Sequence, residues 1–233
     1  MQLSPDQTIV FTVGSWPVSA TIVNTWIVMV LLVGISMLVT RNLRADKAPG
    51  RWRSALELIV TMIQGQIEEV TRSGARHVLY FAGNLFLFIA VSNLLTVIPG
   101  FAPPTSSLST TVALTLSVLV AIPLFGIVNG GVRQYLHKFI EPSLIMLPFN
   151  IIGEFSRGIS LAIRLYGNVM SGAVIAAILL SIAPFFFPVV MDMLGLLTGF
   201  IQAYIFAILA TVYISSAMAE TPVKTSEKDK QHD

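Results

Sequence analysis

The chain has 233 residues, 55% hydrophobic and 11% charged, with a formal net charge of +2. That balance excludes an ordinary soluble domain and fits an integral membrane protein whose charges sit in loops and tails. The absence of cysteine excludes disulfides, thiolate metal sites and cysteine nucleophiles, and His77, His137 and His232 are not placed to pair on a haem within one membrane layer.

Residues 1–20 are mixed in character and are expected at or outside one membrane face. They carry no basic stretch ahead of the first apolar run, so neither a cleaved signal nor a transit peptide is read. Residues 21–40 are uncharged and long enough to span as a helix. Arg41, Arg44, Lys47, Arg51 and Arg53 follow, around Pro49-Gly50, and mark a cytoplasmic loop by the positive-inside rule. Within 56–70, Leu56, Ile59, Val60, Ile63 and Ile67 form one apolar face against Glu57, Gln64 and Glu68. That pattern predicts an amphipathic helix on the cytoplasmic surface or packed on a partner.

Arg72, Arg76 and His77 precede a second span over 78–98, which Pro99-Gly100 and Pro103-Pro104 break. The uncharged loop to Thr110 fits the outer side. A third span over about 111–132 is expected to kink at Pro123, and Arg133, His137 and Lys138 return the chain to the cytoplasm. Residues 144–181 show no break after Pro148 and would be about 50 Å long as one helix, against a hydrocarbon core of about 30 Å. Steep tilt is the favoured solution. Pro184 and Pro188 mark a turn, residues 189–219 form a second over-long apolar arm, and Lys224 to the C-terminus is a charged, disorder-like tail. The organisation is thus one membrane domain over 1–233: an outer segment 1–20, peripheral spans 21–132, a tilted hairpin 144–219 and a cytoplasmic tail 220–233. The fold class is all-α, with about five crossings, the N-terminus outside and the C-terminus inside.

The first arm of that hairpin carries the polar signal. At about 100° per residue, Arg157, Ser160, Arg164, Asn168 and Ser171 fall along one stripe, while Leu161, Ile163, Leu165 and Val169 mostly take other faces. An arginine at mid-membrane costs roughly 3 kcal/mol on insertion scales, so it faces protein or water and marks function, unless it is a snorkelling anchor or a packing residue. On the second arm Gly195, Thr198, Gly199 and Gln202 line up near Asp192, and Gly195 with Gly199 forms a small-xxx-small pair for close helix approach. Asp192 has two readings, a pathway carboxylate or an aspartate solvated at the outer interface. Counted from a turn near position 186, Ala173 stands 13 residues before it and Asp192 six after, which places Asp192 nearer the outer face.

Three runs carry a family resemblance: Leu147-Pro148-Phe149-Asn150 through Arg164-Leu165-Tyr166-Gly167-Asn168, Asn93-Leu94-Leu95-Thr96-Val97-Ile98-Pro99-Gly100-Phe101, and Gly199-Phe200-Ile201-Gln202-Ala203-Tyr204-Ile205-Phe206. Together they resemble subunit a of the F-type ATP synthase, in the right order and across about 56–219. The resemblance implies a stationary subunit of the Fo sector in the bacterial inner membrane, beside a rotating ring of c subunits and held by peripheral-stalk b subunits. It implies two half-channels and an arginine, Arg164, that faces the ring carboxylate and couples H+ or Na+ flow to rotation. It further implies that Gln202 opposes Arg164 from the other arm on the same ring-facing surface. Asn168 then shares the polar face, Arg157 is a basic position one step earlier on the stripe, and Glu154 is an acidic position near the cytoplasmic side. Such a subunit has no catalytic activity of its own, no cofactor or metal, and no nucleic-acid partner.

The chain departs from the family pattern in three places. Ala173 stands nine residues after Arg164, where many relatives carry an acid; Gly158 stands where proline is common; and Asp192 has no evident counterpart. The physics of the resemblance is independent of these details. A fixed guanidinium favours the ionised form of a passing carboxylate and drives ion release, whereas lysine would lose its proton more readily in a desolvated site. It also blocks a straight cation leak. Two other functions compete: a free-standing secondary transporter with an intramembrane arginine site, and a purely structural assembly subunit. Neither an internal repeat nor paired helix interruptions favour the transporter, and the structural reading leaves the polar stripe unexplained. No Gly-x4-Gly-Lys-Ser/Thr loop is present, so ATP chemistry belongs to other chains.

Overall fold

The structure, a computed structural model, describes residues 9–13, 16–41, 75–98, 101–140, 145–182 and 187–219, together with Thr61 and Gly65. It begins with a short antiparallel hairpin of β1 (Ile9–Val13) and β2 (Trp16–Ser19), paired from Ile9 opposite Ser19 to Val13 opposite Trp16. Valine, isoleucine and phenylalanine suit a pleated strand, a feature that the mixed reading of 1–20 did not resolve. Among the described residues, six α-helices of defined extent follow: α1 (Ala20–Arg41), α2 (Ala75–Leu94), α3 (Leu108–Gly130), α4 (Val132–Ile140), α5 (Met146–Ile182) and α6 (Phe187–Ala219). All but α4 are long and apolar enough to cross a membrane. Among the described residues the fold is therefore all-α apart from the one hairpin. The amphipathic helix expected over 56–70, the basic loop 42–53 and the tail lie outside the described residues, although Thr61 and Gly65 are both helical.

The spans expected over 21–40, 78–98 and 111–132 correspond to α1, α2 and α3 within a few residues at each end. After α2 the chain makes a 3-10 turn over Leu95–Val97 and another over Pro104–Ser106, the second buried against the bundle. The basic segment after the third span is not a loop but the nine-residue helix α4. Gly131 separates it from α3 with φ of 81°, a left-handed conformation that glycine alone adopts freely, and its N–H caps the Ile127 carbonyl at 2.8 Å.

α5 has 37 residues and α6 has 33, so each is about 50–55 Å long at 1.5 Å per residue. Pro148 and Pro188 sit in the first turns of their helices, where a missing N–H costs nothing. Unbroken helices of this length bury their apolar run in a core of about 30 Å only by lying steeply.

α6 is the central element and packs on α2, α3 and α5. Its buried stripe runs through Gly199, Gln202, Ala203, Phe206, Ala207, Ala210, Thr211, Ile214, Ser215 and Met218, a 3.6-residue period. Most of those side chains are small, which lets helices approach where lipid gives apolar burial no special advantage and packing drives association. Phe206, Ile89, Leu161, Leu165 and Val118 fill the centre. Leu119 of α3 lies over Gly158 of α5 so closely that a Cβ there would stand 2.5 Å from Leu119 Cδ1. A side chain at 158 would have to displace Leu119.

Candidate functional site

The α5 stripe divides by exposure as its period requires. Gly158, Leu161, Ala162 and Leu165 are buried, whereas Arg157, Ser160, Arg164 and Ser171 are exposed. Arg164 therefore points out of the bundle. Gln202 does not share that exposed surface, contrary to the expectation from resemblance. It lies within the buried stripe of α6 at 5% exposure, and its Nε2 has no hydrogen-bond partner. The polar face of α6 sinks inward along its length, from exposed Asp192, Gly195 and Thr198 to buried Gly199 and Gln202.

The two arms are registered by one contact: Asn168 Nδ2 donates to the Thr198 carbonyl at 3.3 Å. Four residues back along α5 stands Arg164, and four residues on along α6 stands Gln202. In antiparallel helices that places the two at about the same height. Six residues from the same contact toward the turn stand position 174 and Asp192. Asp192 is thus nearly level with Ala173 rather than closer to the outer face. The correction arises because the arms pair about a point near 183, not 186.

On the turn side of Arg164 the helices line a half-open cavity of about 860 Å³. Asn168, Ser171 and Ala173 line it from α5, and Asp192, Gly195 and Thr198 line it from α6. The sequence-predicted residues Asn168, Ser171 and Asp192 are thereby brought to one wall system. Other polar walls escaped the sequence reading: Asn24 from α1, Asn93 at the end of α2, Thr96, and Ser106 from the buried turn. Asn24 donates from Nδ2 to the Ala102 carbonyl at 2.8 Å, which ties α1 to the segment between α2 and α3. The available signal was an amide inside an otherwise apolar run, which is costly unless partnered or wet.

On the opposite side of Arg164 lies a second polar group. Arg157 Nη1 pairs with Glu154 Oε2 at 3.5 Å, and the Arg157 guanidinium stacks 5.5 Å from the centroid of Tyr213 on α6. Glu154 Oε1 is buried without a hydrogen-bond partner. Tyr135 of α4 packs its ring onto Gly126, and burial, with the Glu154 carboxylate second, raises its phenol above the ordinary value. Neither tyrosine was singled out from sequence. Arg157 is half exposed, so its ion pair adds little stability and its weight is orientational. Glu154 stands ten residues from Arg164 and Ser171 seven on the other side, about 15 and 10 Å along the axis. Neither polar group includes Arg164.

The comparisons with known proteins agree on one family. The family model described as ATP synthase A chain matches residues 22–215. The chain is 57% identical over 217 residues to "ATP synthase subunit a 2" of Acaryochloris marina, covering 93% of each sequence. It is 54% identical over 226 residues to "ATP synthase subunit a 1" of Chlorobaculum parvum, covering 97% of this chain and all of that one. "ATP synthase subunit a" of Albidiferax ferrireducens is also 54% identical, over 93% of this chain and 94% of its own.

Proposed function

The chain belongs to the ATP synthase subunit a family, a multi-pass membrane stator of the Fo sector that serves ion transport and ATP synthesis, and on that premise we propose that it carries the ion path through two offset half-channels separated by Arg164. The observation behind this reading is the axial order of polar groups: the Asp192–Asn168 cavity on one side, the Glu154–Arg157 pair on the other, and exposed Arg164 between them. An ion entering the cavity meets a fixed positive charge and cannot continue along the chain. It transfers to a carboxylate on a neighbouring rotating ring, whose ionised form Arg164 favours when the carboxylate returns. A transmembrane potential of 100 mV gives about 2.3 kcal/mol per charge to drive that cycle.

In this reading the ring of c subunits packs on the α5 face that bears Arg164, b subunits hold the chain still, and the chain lies in the bacterial inner membrane. The basic residues Arg41, Arg133, His137 and Lys138 set the orientation, with the C-terminus cytoplasmic and the cavity on the outer side. Gln202, level with Arg164 but buried behind it, acts on the arginine region from within the bundle and does not touch the ring. The free-standing transporter is disfavoured because its site would have to enclose Arg164, which is exposed. Purifying the chain from its native membrane tests the proposal. A ring of small subunits and ATP-driven ion uptake in reconstituted vesicles are expected. Recovery of the chain alone, active in solute uptake without ATPase subunits, would refute it.

A further inference from the structure

Asn93 closes the last turn of α2 and is 4% exposed. Its amide is used at both ends. Nδ2 donates to the Gly199 carbonyl of α6 at 3.0 Å, and Oδ1 accepts from Thr105 Oγ1, itself fully buried, at 3.3 Å. Its main-chain carbonyl also accepts from Thr96 Oγ1 at 2.6 Å. The approach is close enough that a Cβ at Gly199 would lie 2.9 Å from both Asn93 Cβ and Cγ. One residue earlier on α6, Asn168 grips the Thr198 carbonyl from α5. Two asparagines from two helices thus hold consecutive carbonyls of α6, one turn ahead of Gln202.

A helical carbonyl has a second lone pair, so these bonds leave the helix intact. They fix both where α6 sits along its axis and how it is rotated. A slip of one residue would turn α6 by about 100° and shift Gln202 by about 1.5 Å. The Asn168 bond alone, at 3.3 Å on a less buried site, is the weaker of the two restraints. The close approach at Gly199 already disfavours a slip, which would set Thr198 or Phe200 against Asn93. A buried amide resists it well, since a slipped Asn93 would leave its donor unpaired in a dry site.

We propose that Asn93 is a positioning residue for ion translocation, which locks α6 in the register that sets Gln202 level with Arg164. It acts through α6 and does not itself carry the ion. The proposal rests on the functional reading above for its effect on pumping, but its geometric claim is testable without that reading.

Because the chain has no cysteine, paired cysteines report register directly. Ser171→Cys with Gly195→Cys is a matched pair, each three residues from the Asn168–Thr198 contact on the turn side; Ser171→Cys with Met191→Cys is one turn out of register. In the intact complex, oxidative cross-linking should favour the matched pair. Asn93→Ala and Asn93→Leu each remove both bonds, the first without adding bulk and the second at similar size. Each should lower the matched-to-offset ratio by at least about fivefold, the worth of one net hydrogen bond, and should lower ATP-driven pumping in cysteine-free complexes in which the chain is still retained. If Asn93→Leu fails to assemble, Asn93→Ala alone decides. An unchanged ratio overturns the proposal whatever the pumping rate, and so does a shifted ratio with normal pumping. Failure of the functional reading shows separately, as persistence of pumping without Arg164.

Discussion

Ala173 and Asp192 line one cavity from opposite arms of the hairpin, and the Asn168–Thr198 contact sets them at nearly the same depth. In the function proposed above, Asp192 on α6 would supply across the cavity the carboxylate that the family resemblance leads one to expect near Ala173 on α5. A carboxylate on a polar-lined cavity raises the local cation concentration and keeps the passage hydrated. Asp192→Asn should therefore reduce ATP synthesis several-fold at limiting external ion concentration, with assembly unchanged, and Ala173→Asp in the same chain should restore much of it. Unaltered ion dependence in Asp192→Asn membranes would leave Asp192 a solvated surface aspartate.

Gln202 separates function from stability. Its buried Nε2 makes no hydrogen bond, and such a donor typically costs about 1–3 kcal/mol. Gln202→Leu, similar in size and without a donor, is expected to leave the thermal stability of the complex unchanged or higher while pumping falls several-fold. Equal losses of stability and pumping would show that the glutamine is merely structural.

The contact between Gly158 and Leu119 gives a packing prediction. A methyl at 158 would stand 2.5 Å from Leu119 Cδ1, so Gly158→Ala should push Leu119 aside and destabilise by about 1 kcal/mol or less, since helix propensity returns part of the strain. Adding Leu119→Ala should recover part of that loss in detergent unfolding. Losses that simply add would place the strain elsewhere.

Much of the fold was legible in the sequence because lipid imposes it. Uncharged runs of spanning length and basic punctuation located α1, α2 and α3, and the unbroken run after Pro148 announced an over-long α5. The short helix α4 was missed because Arg133, His137 and Lys138 read as loop charges, although Tyr135 and Leu136 among them give it an apolar side. The hairpin of Ile9 to Ser19 is too short for period alone to declare. In the site, exposed Arg164 followed from its stripe, whereas buried Gln202 did not: its own helical wheel, shared with Ala203, Phe206 and Ala210, pointed inward, and the family resemblance outweighed it. The walls formed by Asn24, Asn93 and Thr96 depend on contacts between distant segments. A periodic pattern within one helix does not contain them.

The most direct measurement is ATP-driven ion pumping by complexes carrying Arg164→Ala, with ring association verified in the same preparation. A neutral side chain at 164 leaves the ring carboxylate without its counter-charge and the two polar groups without a barrier between them. Coupled pumping should fall to background while the complex stays assembled, and Arg164→Lys should recover little, because lysine surrenders its proton in a desolvated site. Pumping by Arg164→Ala at an appreciable fraction of the unaltered rate would contradict the account at its centre.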